Sequence, residues 1–165
     1  MKRNTITIIE VIIILCVIVV AVRVRSCKIP ESKRNYISDM TIAIKKQNNI
    51  IERYIILTDN ISKRTVSGEE ANYNLEKIKN SFIENKRIIE TIAPPVDFIN
   101  EHENFIRVFQ CCIDSVDIYL SISNIKDEKF KIKKIKEAKD KIKEYNEYMK
   151  YLSHRTMRNM VPDLK

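Results

Sequence analysis

Apolar residues fall into two regimes along this chain. Residues 5–22 (TITIIEVIIILCVIVVAV) are apolar on every side except for Glu10 and two threonines, and the run stops at Arg23-Val24-Arg25. Beyond residue 35 the apolar positions recur at alternating spacings of three and four, which sets them on one face of a helix. About four such helices are predicted. The first, near 36–60, carries Ile37, Met40, Ile44, Ile51 and Ile55, interrupted by Gln47 and Asn48. After a loop over 61–68, Ser67 and Glu70 form a capping box for a second helix near 68–92. Its stripe is Ala71, Leu75, Ile78, Phe82, Ile89 and Ile92, with Asn85 as the polar break. Pro94-Pro95 end it and can open a third, near 95–122, with the stripe Phe98, His102, Phe105, Phe109, Cys112, Val116 and Tyr119. Asn124 is the expected N-cap of a fourth helix near 125–152, striped by Ile135, Ala138, Ile142, Tyr145, Met149 and Leu152.

Short connections make neighbouring helices antiparallel. The expected fold is therefore all-α: a single N-terminal transmembrane helix followed by an elongated antiparallel bundle of about four helices. As a helix, residues 5–22 rise about 27 Å, close to the roughly 30 Å hydrocarbon core of a bilayer. A helix also satisfies its own backbone there, which lipid requires. A cleaved signal peptide fits poorly, because Ala21-Val22-Arg23-Val24-Arg25 lacks an A-x-A box. Lipidation at Cys27 fits poorly too, with Arg25 inside the box before it. A buried core helix would have a polar face, and this run has none. The expected organisation is a short basic N-terminus (1–4), a transmembrane helix (5–22), a basic juxtamembrane linker broken by Pro30 (23–35), the bundle (36–152) and a frayed C-terminal tail (153–165).

Net charge is +8, distributed as +5 over residues 1–34, −3 over 35–125 and +6 over 126–165. Lys2, Arg3 and the terminal amine favour a cytoplasmic N-terminus, whereas Arg23, Arg25, Lys28, Lys33 and Arg34 pull the other way. A short basic leader is the mark of a signal anchor, so the single-pass reading puts the bundle on the extracytoplasmic side.

Ile6-Thr7-Ile8-Ile9-Glu10-Val11, behind its basic leader, resembles the start of type IV pilins and related pseudopilins. That resemblance covers only the first twenty or so residues. It implies processing to a mature N-terminus with Glu10 at the fifth position, and a pilin-like filament subunit. Thr5 stands where the family has its cleavage-site glycine and Ile6 where it has phenylalanine. The family's β-sheet head has no counterpart in the pattern.

Composition closes off several chemistries. Gly68 is the sole glycine, which excludes glycine-rich phosphate loops and argues against sheet-rich folds. No Walker loop, dinucleotide-binding glycine set, CxxC, HExxH or GxSxG occurs. No catalytic residue, cofactor or metal site is expected. With Cys16 inside the apolar run, Cys27, Cys111 and Cys112 give no closed disulfide set, and adjacent helical positions point about 100° apart. His102 is the buried polar residue of interest. A metal-ligand or acid/base role would need partners, yet Glu101 and Glu103 point away from it and His154 is in the tail. A structural histidine bonded to a carbonyl, Gln47, Asn48 or Asn85 is the expectation.

The fourth helix is rich in lysine. Lys129, Lys133, Lys136 and Lys143 are candidate contacts for an anionic partner, such as a surface polymer or lipid headgroups. Interspersed acids, including a Glu137–Lys141 pair at i,i+4, favour an ordinary solvated face over such contacts. Nucleic acid is not expected, since no arginine-and-aromatic platform appears. Tyr145, Tyr148 and Tyr151 share one helix face and are expected to pack or to line a rim. The leading expectation is a non-catalytic, membrane-anchored helical bundle with an envelope-associated structural or protein-interaction role, with an anionic-polymer or headgroup binder second and a pilin-like subunit third. Partner and oligomeric state are not fixed by the sequence.

Overall fold

A computed structural model describes residues 30–122 and 125–159, with side chains as far as residue 152. Among the described residues the chain is all-helical, with no strand. Four long helices follow one another: α1 (Glu31–Ser62), α2 (Gly68–Thr91), α3 (Ile99–Ile122) and α4 (Glu128–Asn159), with a 3-10 turn at Val96–Phe98 leading into α3. The expected membrane helix, residues 5–22, lies outside the described residues, as does Asn124. Among the described residues no helix is long and apolar enough to cross a membrane.

Contacts fix the running directions. Gln47 meets Asn85, Lys79 meets Asp117, and Ser115 meets Ala138, so each helix runs antiparallel to the next. α1 lies diagonal to α3 and parallel to it, with Tyr36 against His102 and Tyr54 against Ser115. Tyr145 on α4 reaches Asn48 on α1 and closes the ring of helices. This is an up-down-up-down bundle.

The starts of the helices and the end of α1 have local causes. Pro30 caps α1 and its carbonyl accepts the first helical bond, from Arg34 N at 3.1 Å. The linker expected to run to residue 35 therefore ends at Pro30. A proline ring obstructs helix before it and leaves the chain after it free to coil. α1 stops where Arg64 turns left-handed (φ 56°), letting Thr65 N bond back to Asn60 O at 3.0 Å. Ser67 caps α2 as expected, its hydroxyl accepting from Glu70 N at 3.2 Å. Pro94-Pro95 hold the chain extended after α2, and the third helix starts at Ile99 behind the 3-10 turn. Asp127, not Asn124, caps α4: its Oδ1 accepts from Lys129 N at 2.8 Å and Phe130 N at 3.3 Å. α4 continues through Asn159 where a frayed tail from Ser153 was expected.

The core is a set of heptad seams. On α2 the buried positions are Ala71, Leu75, Ile78, Phe82, Asn85 and Ile89, and on α4 Ala138, Ile142 and Tyr145, close to the expected stripes. On α1 the expected stripe is displaced. The buried line is Tyr36, Met40, Ala43, Gln47, Ile50, Tyr54 and Leu57, with Ile51 beside it, whereas Ile37 and Ile44 are half-buried and Ile55 is exposed. The line repeats every 3.5 residues on average, the spacing of shallow-angle packing. Its tyrosines win the seam because their hydroxyls find partners across the core. α3 is buried more widely than one stripe, adding Val108, Cys111, Ile113 and Ser115, because it packs on α2 and α4 and faces α1 across the diagonal.

Candidate functional site

Three clusters of polar or exposed groups are available to a function. The first is a polar layer midway along the bundle. Gln47 and Asn85 are both fully buried, and Asn85 Nδ2 donates to Gln47 Oε1 at 2.9 Å and to Ala43 O at 3.0 Å. Gln47 Nε2 and Asn85 Oδ1 have no hydrogen-bond partner. Burial pushes the Cys112 thiol pKa up, against the nearby Gln47 amide. Burial likewise raises the pKa of Tyr145, which stacks on Phe109 with centroids 5.7 Å apart. A second tie nearby joins three helices: Tyr54 Oη and Ser115 Oγ are 2.7 Å apart, and Ser115 donates to Ala138 O at 2.7 Å. These groups hold one another, and none faces an open site.

The second cluster surrounds His102. Its Nδ1 lies 3.4 Å from Tyr36 Oη, and the rings are 5.9 Å apart. The partner is thus Tyr36 on α1, not Gln47, Asn48 or Asn85, which sit further along the bundle. Burial lowers the His102 pKa, opposed by Glu103. Burial raises that of Tyr36, helped by Tyr148 and Glu101. Phe98 lies 5.4 Å from the Tyr36 ring, and Tyr148 Oη donates to Glu101 O at 3.2 Å. Lys33 and Asp97 pair over the outside. Among the described residues no group of three or more His, Cys, Asp or Glu could hold a metal ion. A neutral imidazole against a phenol is suited to holding helix ends together.

The third cluster is the lysine face. Lys129, Lys133 and Lys136 are exposed on the first turns of α4 and form no ion pair among the described residues. Lys143, also exposed, stands apart from them and pairs with Glu147 at 3.4 Å. Glu137 pairs with Lys134 at 2.8 Å, not with Lys141 as expected. The sequence reading missed that Phe130 and Ile132 are exposed among these lysines, Ile132 at 65%. The signal was present, because neither belongs to the stripe running from Ile135.

These clusters occupy different heights. His102, Tyr36 and Tyr148 sit at the end where α1 begins, whereas Lys129, Lys133 and Lys136 lie toward the opposite end, about 30 Å away at 1.5 Å per residue. No protein-family model, curated protein or solved structure matches the chain.

Proposed function

We propose that the chain is a non-catalytic, membrane-anchored helical bundle that serves as an envelope-associated scaffold or protein-interaction module. The observation that carries this reading is the join between two parts. A run of eighteen residues, apolar but for Glu10 and two threonines, ends about eight residues before Pro30, where an amphipathic bundle begins. The first part has the length and solvation needs of a membrane span. The second directs its buried polar groups at one another. In this reading the protein is single-pass, with the bundle on the extracytoplasmic side and a protein partner as its target.

Alkaline carbonate extraction of membranes from cells expressing the full chain tests the anchor. The protein should stay in the pellet, and release to the supernatant would sink the reading. Protease added to intact cells then reports sidedness, with cleavage of the bundle expected.

A second reading has its own support. Exposed Phe130 and Ile132 interleaved with Lys129, Lys133 and Lys136 form a basic-apolar patch suited to an anionic polymer. The patch lies far from residue 30, so a bundle standing on its anchor would hold it away from its own headgroups. Polymer fits that position better than lipid. Lys129→Glu with Lys133→Glu and Lys136→Glu should abolish salt-sensitive retention on an anionic polysaccharide matrix; retention unchanged by these reversals would remove it. For the pilin-like reading, Ile6 and Glu10 lie outside the described residues. Mass of the mature N-terminus decides it, an intact Met1 being incompatible with processing.

A further inference from the structure

The end of the bundle where α1 starts has an apolar rim that its core does not use. Val96 is 83% exposed, Tyr151 54% and Ile99 42%. Val96 and Ile99 are at that end, and Tyr151 lies about 12 Å short of the last described turn of α4. Val96 and Ile99 flank Phe98, which packs on Tyr36, while the Tyr151 ring lies tilted 6.2 Å from that of Tyr148, whose hydroxyl is bonded to Glu101. The Pro94-Pro95 pair makes the rim rigid, since Pro95 (φ −60°, ψ 154°) sets Val96 at the head of a 3-10 turn closed by Phe98 N to Pro95 O at 2.8 Å. Single exposed apolar residues are ordinary on a protein surface. A proline-braced turn with a valine at its tip, an isoleucine three residues on and a tyrosine on the neighbouring helix is more than that when the chain brings it to a particular surface.

The chain does so. Eight residues or so separate Val22 from Pro30, and an extended segment of that length reaches at most about 28 Å. If residues 5–22 span a bilayer, the α1 end of the bundle cannot stand further from it than that, whereas the Gly68 end of α2 lies about 35 Å beyond. The juxtamembrane sequence is basic, with Arg23, Arg25, Lys28 and Arg34, and basic segments are drawn to anionic headgroups.

We infer that this rim docks the bundle end-on against its own bilayer: Val96 and Ile99 enter the headgroup–acyl boundary and the Tyr151 ring lies at headgroup level. The inference rests on the anchor reading above. Docking would turn a tethered bundle into an upright one, with the Lys129–Lys136 patch held outward.

The chain contains no tryptophan, so single Trp substitutions act as clean reporters. Val96→Trp, Ile12→Trp and Tyr73→Trp would each be introduced into the full chain, with Tyr73 an exposed residue near the far end. Each variant is reconstituted in vesicles of phosphatidylcholine and phosphatidylglycerol, with and without brominated acyl chains. Docking predicts blue-shifted Val96→Trp emission that brominated lipid quenches, quenching of Ile12→Trp, and none of Tyr73→Trp. Quenching of Ile12→Trp without Val96→Trp would overturn the docking and leave the anchor standing. Quenching of neither would overturn both. Equal quenching of Val96→Trp and Tyr73→Trp would mean a bundle lying flat, which also ends the proposal. So would a Val96→Trp blue shift that follows protein concentration and not lipid, because a second copy would then cover the rim.

Discussion

Replacing Asn85 with leucine should be costly alone and cheap in company. Asn85 Nδ2 makes two bonds, to Gln47 Oε1 and Ala43 O. Ala43 O keeps its helical bond when Asn85 is lost, so the damage falls on Gln47, whose Oε1 is then buried without a partner. A buried polar group stripped of its hydrogen bond costs about 1–3 kcal/mol. For a domain of this size each kcal/mol moves the melting temperature by about 3–5 °C, so Asn85→Leu should lower it by roughly 3–15 °C. Gln47→Met matches the shape of the side chain and leaves Asn85 its bond to Ala43 O, so its own cost is smaller. In the double variant neither amide remains, and the two unpartnered atoms, Gln47 Nε2 and Asn85 Oδ1, go with them. An apolar pair of similar volume should then restore stability to near or above the parent. Thermal and urea melts of the full chain in detergent, followed by far-UV circular dichroism, give the complete cycle. If Asn85→Leu melts no lower than the parent, or the double variant falls as far as the summed singles, the amide pair is not the coupled unit described here.

Other outcomes follow from individual contacts. Tyr54→Phe removes the phenol that meets Ser115 Oγ at 2.7 Å and should cost about 1 kcal/mol in a urea melt; an unchanged midpoint would contradict that bond. Arg64→Gly relieves a left-handed residue (φ 56°) and should stabilise by about 1 kcal/mol, read as a higher melting temperature. Burial depresses the His102 pKa below its ordinary 6.5, so its contribution to stability is present above that pH and is lost as pH falls toward the folded value. Urea midpoints should drop between pH 7.5 and 5, and His102→Gln should flatten part of that slope. Burial raises the Cys111 pKa to about 11, with Glu144 adding to it, and raises Cys112 further. Iodoacetamide at pH 8 should label neither in the folded protein and both after denaturation, as read by peptide mass mapping.

The helices and three of the four seams were legible because heptad spacing is a local signal and Ser67, Pro94 and Pro95 punctuate it clearly. The seam of α1 was not, because isoleucines occur on several of its faces. Ile37, Ile44 and Ile55 look like a stripe, yet the seam is the line that includes Tyr36, Ala43 and Tyr54. What selects that line is non-local: a hydroxyl on Ser115 for Tyr54 and an imidazole for Tyr36. No window along α1 contains either partner. Gln47 and Asn85 read as interruptions for the same reason. Each breaks its own stripe, and only when the helices meet does the break become a matched pair. The His102 environment was half legible: its burial follows from its place on the α3 stripe, but its partner lies 66 positions away on another helix.

The distribution of these features along the bundle bears on what it can be for. Polar contacts that fix register, the Gln47–Asn85 pair and the Tyr54–Ser115–Ala138 tie, lie in its middle and leave the two ends chemically distinct. One end has a proline-braced apolar rim over an aromatic and histidine cluster, and the other has exposed lysines around Phe130 and Ile132. A seam that slipped by one helical turn would bury a glutamine against isoleucine, so the amide layer penalises every register but one. Fixed register keeps the four helices in step and the ends square. A rod of that kind transmits position: whatever surface holds the rim determines where the lysines stand, about 30 Å away. On the proposed scaffold reading, spacing is the task for which the polar layer, the rim and the lysine patch are jointly suited.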